Sequence, residues 1–383
     1  MRTAIVGVVL LVLGGIAVAV GILPLADAAA VWARVWPVLL FVVAITIVAE
    51  LAAEAGVFGW LASRVAGWAR GRAWLLLLLV AVFAAIGTIF FSLDTTAVLL
   101  TPVVVGLARR SGLNPLPFAL ITVWLANTAS LLLPVSNLTN LLAAGRIDGG
   151  VAGFVSHTWA PAIVAIVVPV AVVLVVYHRQ LPVRFEVPSA EPIVDRTLFA
   201  ACAVVVALLL PALVSGVPVW MPASAAAVLL CGVFAVRRRR ALRLALVPWS
   251  LLLFALGLFV CMAALTELGL NAVIAQASGG GQDPLELMRL AGVSAIGGNA
   301  VNNLPAFLAL EPVAQSPVRL TALLIGVNAG VLVTPWASLA TLLWHQRLHR
   351  LGVEISWARY ALLGAVVAPL TVGLAALGLA VTS

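Results

Sequence analysis

The chain has 383 residues, of which 64% are hydrophobic and only 9% are charged, and its formal net charge is +8. A soluble domain is roughly half apolar and about a quarter charged, so this composition excludes a soluble globular protein. The positive charge does not indicate nucleic-acid binding, because all 21 basic residues are arginines at the ends of apolar runs, where the positive-inside rule explains them.

Apolar runs of about 20 residues, the length that spans the hydrocarbon core of a bilayer, recur from end to end. The first run is followed by a small-residue segment, 26–28, that resembles a signal-peptide cleavage site, but its length favours a retained helix. We therefore predict an all-α polytopic protein of the cell membrane. Spanning helices are expected near 3–25, 36–58, 116–143, 152–177, 197–215, 218–236, 246–268, 318–344 and 360–381.

Two further apolar stretches, 73–108 and 288–313, are too long for a single span and have polar residues in the middle. Arginines flank the first stretch on both sides, which indicates that both of its ends face the cytoplasm. Each stretch is therefore predicted to be a re-entrant hairpin. In this predicted topology the N-terminus is cytoplasmic and the C-terminus lies outside. The arginines that then face out are Arg34, Arg146, Arg289 and Arg319.

One pattern occurs twice, in the segments 116–143 and 318–344. Asn127 and Pro134 of the first copy recur at a constant offset as Asn328 and Pro335 of the second, each followed by three matching leucines. Each copy interrupts an apolar run with amides, hydroxyls and a proline, which predicts broken helices with the prolines as hinges. Matched broken helices in two halves are typical of a transporter's binding site.

The two halves are predicted to form an inverted-topology repeat, because the charge pattern makes corresponding segments run in opposite directions. The first unit is 1–180, with hairpin 73–108 and broken helix 116–143. A connector, 181–217, includes one transmembrane helix. The second unit is 218–383, with hairpin 288–313 and broken helix 318–344.

Asp94 is the ionisable residue at the predicted tip of the first hairpin. A carboxylate at membrane depth is costly unless it is paired or protonated, so Asp94 is the first candidate for proton coupling. The alternative is a structural role, in which Asp94 caps the half-helix that begins at Thr95. Glu50 is a lower-ranked candidate for the same proton path.

Amides and hydroxyls near the tips and the proline breaks can hydrogen-bond a neutral polyhydroxy solute or a partly dehydrated ion. The predicted substrate- or ion-binding residues are Ser92, Asp94, Thr95, Thr96, Asn127, Ser136, Asn137, Asn299, Asn302, Asn303, Asn328, Thr334 and Ser338. The three cysteines lack metal-ligand spacing, and no nucleotide-binding or hydrolase motif occurs. We expect no metal, no cofactor and no intrinsic ATPase or other enzymatic activity.

The segments 90–102, 135–140 and 301–305, and above all Ser-Leu-Ala-Thr-Leu-Leu-Trp at 338–344, resemble the arsenical-pump membrane protein (arsenite permease) family. That family belongs to the ion transporter superfamily, with NhaD-type sodium/proton antiporters and dicarboxylate carriers. The resemblance covers about 36–381. It implies efflux of arsenite or antimonite in exchange for protons, in some members with a separate ATPase subunit; a homodimer is a further expectation.

Two other functions within the same superfamily remain open, namely sodium/proton antiport and transport of an anion such as a dicarboxylate. An anion carrier would need a cationic group or a helix N-terminus at its site. The broken regions contain no arginine, which argues mildly against a dicarboxylate.

Overall fold

The computed structural model describes residues 2–181, 184–188, 192–269 and 276–383, and it is built of helices joined by short connections. In chain order the helices are α1 (Arg2–Ala19), α2 (Leu25–Glu54), α3 (Val57–Trp68), α4 (Ala73–Phe91), α5 (Leu93–Thr95), α6 (Thr101–Arg110), α7 (Pro115–Thr128), α8 (Leu138–Ala144), α9 (Gly150–Val176), α10 (Arg196–Leu213), α11 (Trp220–Arg237), α12 (Trp249–Glu267), α13 (Pro284–Val301), α14 (Asn303–Leu310), α15 (Pro317–Ala329), α16 (Leu339–Arg350) and α17 (Trp357–Thr382). A π-helical turn, Thr96–Leu100, joins α5 to α6.

Among the described residues, seven helices are apolar and long enough to cross a membrane, namely α2, α4, α9, α10, α11, α12 and α17. The all-α polytopic fold is therefore confirmed. The division into units 1–180, 181–217 and 218–383 stays a prediction, and residues 182–183 and 189–191 of the connector lie outside the described part of the chain.

The predicted bounds of the first two spans are wrong. The first helix ends at Ala19, and α2 begins at Leu25 rather than near 36. Asp27 falls in the first turn of α2, where the helix dipole favours a negative charge, so this polar residue starts the helix instead of marking a loop. The helix continues through Pro37, and the short helix α3 after it was not predicted.

Both predicted hairpins are present, and each reverses direction at one strained residue. Ser92, between α4 and α5, has φ 114° and ψ 160°; Asn302, between α13 and α14, has φ 128° and ψ 156°. This backbone region is nearly restricted to glycine, and any other residue that adopts it costs about 1–3 kcal/mol. Close contacts between the arms recur too, because a Cβ at Gly87 would lie 3.4 Å from Thr96 Oγ1 and one at Gly297 3.4 Å from the Ala306 Cβ.

Both predicted broken helices are also present. The first stops at Thr128 and resumes at Leu138, with short 3₁₀ turns between, one of which begins at Pro134. The second stops at Ala329 and resumes at Leu339. In each case the proline lies in the gap, where the absence of its N–H removes no helical hydrogen bond.

The helices pack as two groups. The frame bundle consists of α1, α2, α10, α11 and α12, and the hairpin bundle consists of α4 to α9 and α13 to α17. Helix α3 lies between them, packed on α2, α4 and α6. Apolar side chains dominate the contact between the bundles; examples are Val35 and Phe259 of the frame bundle, which share a buried cluster with Phe307 of the second hairpin.

Within the frame bundle, α1 lies against α12 at a backbone distance that only glycine permits. A Cβ at Gly257 would lie 2.7 Å from the Gly7 carbonyl oxygen and 2.9 Å from the Leu11 nitrogen. Small residues allow this kind of close helix packing in membranes, where no hydrophobic effect drives association.

We expect Gly257→Ala to destabilise the folded protein by about 1–3 kcal/mol, because the added methyl group meets backbone atoms that cannot move aside. Gly15→Ala on α1 is the matched control, since a Cβ there has no neighbour within 4 Å. Thermal unfolding in detergent measures both, and equal midpoints for the two variants would contradict this packing.

Candidate functional site

Asp94 lies in the first turn after the strained tip of the first hairpin, but it does not cap that turn. The cap is Ser92, whose Oγ accepts a hydrogen bond from the Thr95 nitrogen at 3.3 Å and donates to Thr95 Oγ1 at 3.0 Å. Asp94 Oδ1 is buried and has no hydrogen-bond partner among the described residues. The cap that the sequence offered as an alternative role for Asp94 is therefore supplied by Ser92.

Two cavities adjoin Asp94. The larger one, about 250 Å³, is also lined by Glu50, Thr46 and Gln346. The smaller one, about 50 Å³, reaches towards Asn137 at the first proline break. Asp94 and Thr46 border both cavities, so they lie between the space that Glu50 lines and the first proline break.

The two broken helices meet in a buried network of amides. The Asn328 Oδ1 accepts hydrogen bonds from Asn137 Nδ2 at 2.7 Å and from Thr139 Oγ1 at 3.2 Å. The Asn328 Nδ2 donates to Asn140 Oδ1 at 2.7 Å. Asn140 Nδ2 in turn donates to the Ser130 and Leu133 carbonyls, which lie in the first break, between α7 and α8.

The contacts between the broken helices are reciprocal. Asn328 of the second copy touches Asn140 of the first, and Asn127, the counterpart of Asn328, lies 3.5 Å from Thr341, the counterpart of Asn140. Such an exchange of partners arises when two copies are related by a two-fold rotation. It agrees with the inverted repeat predicted from the sequence.

The second hairpin tip is fixed to the second break by hydrogen bonds. Asn299 donates to the Ala295 and Gly330 carbonyls and accepts from the Val333 and Thr334 nitrogens, which occupies its whole amide. Thr334 Oγ1 donates to the Asn299 carbonyl at 2.7 Å.

Two more residues of this tip are bound in the same way. Asn302 Nδ2 donates to the Trp336 carbonyl, and the Trp336 indole donates back to the Ala300 carbonyl. The Asn303 nitrogen donates to the Ala337 carbonyl at 2.9 Å. These contacts hold the second tip in place, whereas the side-chain hydrogen bonds described for the first tip stay within that tip.

The remaining predicted residues are buried near the breaks. The Ser136 hydroxyl donates to the Leu133 carbonyl at 2.7 Å, so it satisfies the first break rather than facing a cavity. Four further oxygens besides Asp94 Oδ1 are buried in this region without a partner among the described residues. They are Thr96 Oγ1, Asn127 Oδ1, Thr128 Oγ1 and Ser338 Oγ.

Three polar residues that line the larger cavity were not predicted, namely Thr46, Ser250 and Gln346. The sequence contains a signal for Thr46, which precedes Glu50 by four residues on α2 and therefore lies on the same helix face. Ser250 and Gln346 carry no comparable signal, because only the packing of the two bundles brings them to the cavity.

Comparison with known proteins agrees with this architecture. The sequence model of the CitMHS family, described as a citrate transporter, matches residues 2–318. The chain is 30% identical to proteins named arsenical pump membrane protein from Yersinia enterocolitica, over 94% of this chain and 90% of the relative, and from Escherichia coli, over 95% and 91%. The chain therefore belongs to the CitMHS family, and it is a relative of these arsenical pump membrane proteins.

This family member shares its fold with a solved structure. The crystal structure of the YdaH transporter of Alcanivorax borkumensis, reported to have an unusual topology, matches with a TM-score of 0.60. The match covers 99% of this chain and 97% of that chain at 15% identity, so it concerns the fold alone. The protein is thus a multi-pass membrane transporter of the arsenical pump and CitMHS type.

Proposed function

We propose that this transporter exports arsenite and antimonite in exchange for protons, with Asp94 as the group that takes up and releases the proton. The observation that carries the proposal is the position of Asp94. Its Oδ1 is buried at the hairpin tip and has no hydrogen-bond partner among the described residues, and the residue borders both cavities. An unpaired carboxyl group at membrane depth is a functional candidate by default, because a purely structural group would be paired.

The solute is suggested by the names of the relatives and by the chemistry of the broken helices. Trivalent arsenic near neutral pH is mostly the neutral trihydroxide, whose hydroxyls need hydrogen-bond acceptors and donors. Asn127 Oδ1 and Ser338 Oγ are examples of buried oxygens that have no partner within the described ranges, and such a solute can satisfy them during the transport cycle. We propose that the site residues predicted from the sequence bind the solute.

Glu50 is proposed to pass protons between the cavity mouth and Asp94. Both carboxylates line the cavity of about 250 Å³, with Thr46 between them on the face of α2. A proton released at Asp94 therefore meets a second acceptor in the same space. This arrangement needs no ATP hydrolysis by the chain itself, although a separate ATPase subunit or a homodimer is compatible with it.

The description of the CitMHS family favours a second candidate, the transport of an anion such as citrate. The lining of the two cavities argues against transport of an anion, because the described lining residues include Asp94 and Glu50 and no arginine. Two carboxylates repel a polyanion in a space of low dielectric constant. Sodium/proton antiport is compatible with the same carboxylates and is separated from arsenite efflux by the test below.

The orientation proposed from the sequence places the N-terminus in the cytoplasm and the C-terminus outside. Four arginines face out in this arrangement, and each has structural contacts that account for its presence there. Arg34 and Arg146 bind Glu311, Arg289 binds Glu286, and Arg319 donates to the carbonyls of 278, 279 and 281.

Expression in an arsenite-sensitive host is the first test. We expect arsenite tolerance to rise, and everted membrane vesicles to accumulate arsenite when a proton gradient is imposed. Sodium and citrate are supplied separately to the same vesicles as comparison solutes. Proton movement evoked by sodium alone, or uptake of citrate without uptake of arsenite, would replace the proposal by the corresponding alternative.

A further inference from the structure

Within the described part of the chain, one ion pair joins the frame bundle to the hairpin bundle. Arg34 of α2 donates through Nη2 to Oε1 of Glu311, the residue that directly follows α14. Among ion pairs and hydrogen bonds whose two partners are both described, it is the only one that joins the bundles. Away from the cavities, apolar side chains such as Val35 and Phe259 dominate the contact, and they can slide past each other without losing hydrogen bonds.

Glu311 is held by two arginines from different bundles. Its side chain is only 6% exposed, whereas that of Arg34 is 46% exposed. Arg146, which follows α8 in the hairpin bundle, donates to the Glu311 carbonyl at 2.7 Å and lies 3.8 Å from Oε1. If the bundles separate here, Arg34 returns to solvent or lipid headgroups and Arg146 remains beside the carboxylate. Separation therefore does not leave a buried charge unpaired, the situation that makes breaking an ion pair expensive.

The ion pair and the large cavity lie at opposite ends of the same contact. Arg34 and Glu50 are both on α2, 16 positions apart, which corresponds to about 24 Å along the helix. At the Glu50 end the bundles part to form the cavity of about 250 Å³, lined by Ser250 and Leu251 from the frame side and by Gln346 from the hairpin side. At the Arg34 end they are joined by the ion pair.

We infer that the Arg34–Glu311 ion pair is a gate, which closes one end of the bundle contact while the cavity that contains Asp94 and Glu50 is open at the other. A transporter that alternates must open the Arg34 end and close the Glu50 end in turn, and the ion pair favours the state in which the Arg34 end is closed and the Glu50 end is open. Arg34 and Glu311 are positioning residues in this scheme, because neither borders the cavities. The inference rests on the proposed function only in treating that cavity as the access route.

The test measures the open cavity directly by thiol labelling and needs neither arsenite nor a proton gradient. A single reporter, Gln346→Cys, is placed in a chain whose three native cysteines are replaced by alanine, and a charged maleimide is added to the purified protein in detergent. Arg34→Gln is expected to slow the labelling by up to about five-fold, because the loss of an ion pair worth about 1 kcal/mol lowers the ratio of open to closed cavity about five-fold. Arg34→Lys, which keeps the charge, is expected to restore most of the rate.

Arg238→Gln is the matched control. Arg238 is also 46% exposed and pairs with Glu54 at 2.9 Å, but both residues belong to the frame bundle, so labelling should stay at the parent rate. If Arg34→Gln does not give monodisperse protein, Glu311→Gln is used with the same expectation, since it removes the opposite charge at nearly constant shape. Labelling of the gate variant at the parent rate would overturn the inference, and loss of arsenite flux alone would not affect it.

Discussion

Asp94→Asn is expected to lower proton-coupled arsenite flux about 100-fold or more, the range in which loss of a positioned proton-transferring group usually falls. The amide has nearly the same shape as the carboxyl group but cannot exchange a proton. The same variant should be at least as stable as the parent, because it replaces a buried carboxyl group, whose Oδ1 has no partner among the described residues, by a neutral amide. Flux in everted vesicles at several pH values and thermal unfolding in detergent measure the two effects.

Glu54→Gln is the control for this variant, since Glu54 is paired with Arg238 and borders neither Asp94 cavity. It should leave the flux close to that of the parent. Glu50→Gln should lie between the two, because Glu50 shares the larger cavity with Asp94 without lying at the tip. Undiminished pH-dependent flux in Asp94→Asn would remove Asp94 as the proton carrier.

Asn328→Ala is expected to destabilise the protein by about 3 kcal/mol or more. The substitution removes the partner of the Asn137 amide in a buried site, and it leaves the Thr139 hydroxyl and the Asn140 Oδ1 only a long contact of 3.5 Å with each other. Each buried polar group that loses its partner costs about 1–3 kcal/mol. A clear fall in the thermal midpoint in detergent should accompany the loss.

Asn127→Ala is the matched control for this effect, since Asn127 is the counterpart of Asn328 in the repeat. Asn127 Nδ2 donates to the Val123 carbonyl of its own helix and reaches Thr341 only at 3.5 Å, and its Oδ1 has no partner among the described residues. Its removal should therefore cost far less stability. A midpoint for Asn328→Ala as high as that of Asn127→Ala would show that the network does not hold the broken helices together.

The hairpins and broken helices could be predicted from the sequence because their signals are local. An apolar run that contains Asp94, or an asparagine and a proline at matching positions, departs visibly from a plain transmembrane helix. The start of α2 could not be predicted in this way. Asp27 and Arg34 look like loop residues, and only the helix dipole and a distant partner explain their place in a helix.

The difference in hydrogen bonding between the two hairpin tips could not be predicted from the sequence either. Asn299 and Asn302 have amide side chains of the kind that bind solutes. Their partners, however, are the backbone carbonyls of Gly330 and Trp336, and no sequence pattern predicts these contacts. The gate is a further case, because Arg34 and Glu311 meet only through the packing of the two bundles. Contacts of this range depend on the whole fold rather than on spacing.

Reconstitution of the purified chain in liposomes tests the central claim most directly. Without ATP, with no other protein and with a pH-sensitive dye on one side of the membrane, addition of arsenite should drive proton movement in the opposite direction. The Asp94→Asn protein in the same liposomes should give no such signal. Proton movement that is indifferent to arsenite but follows sodium or citrate, or an equal signal from the Asp94→Asn protein, would contradict the account.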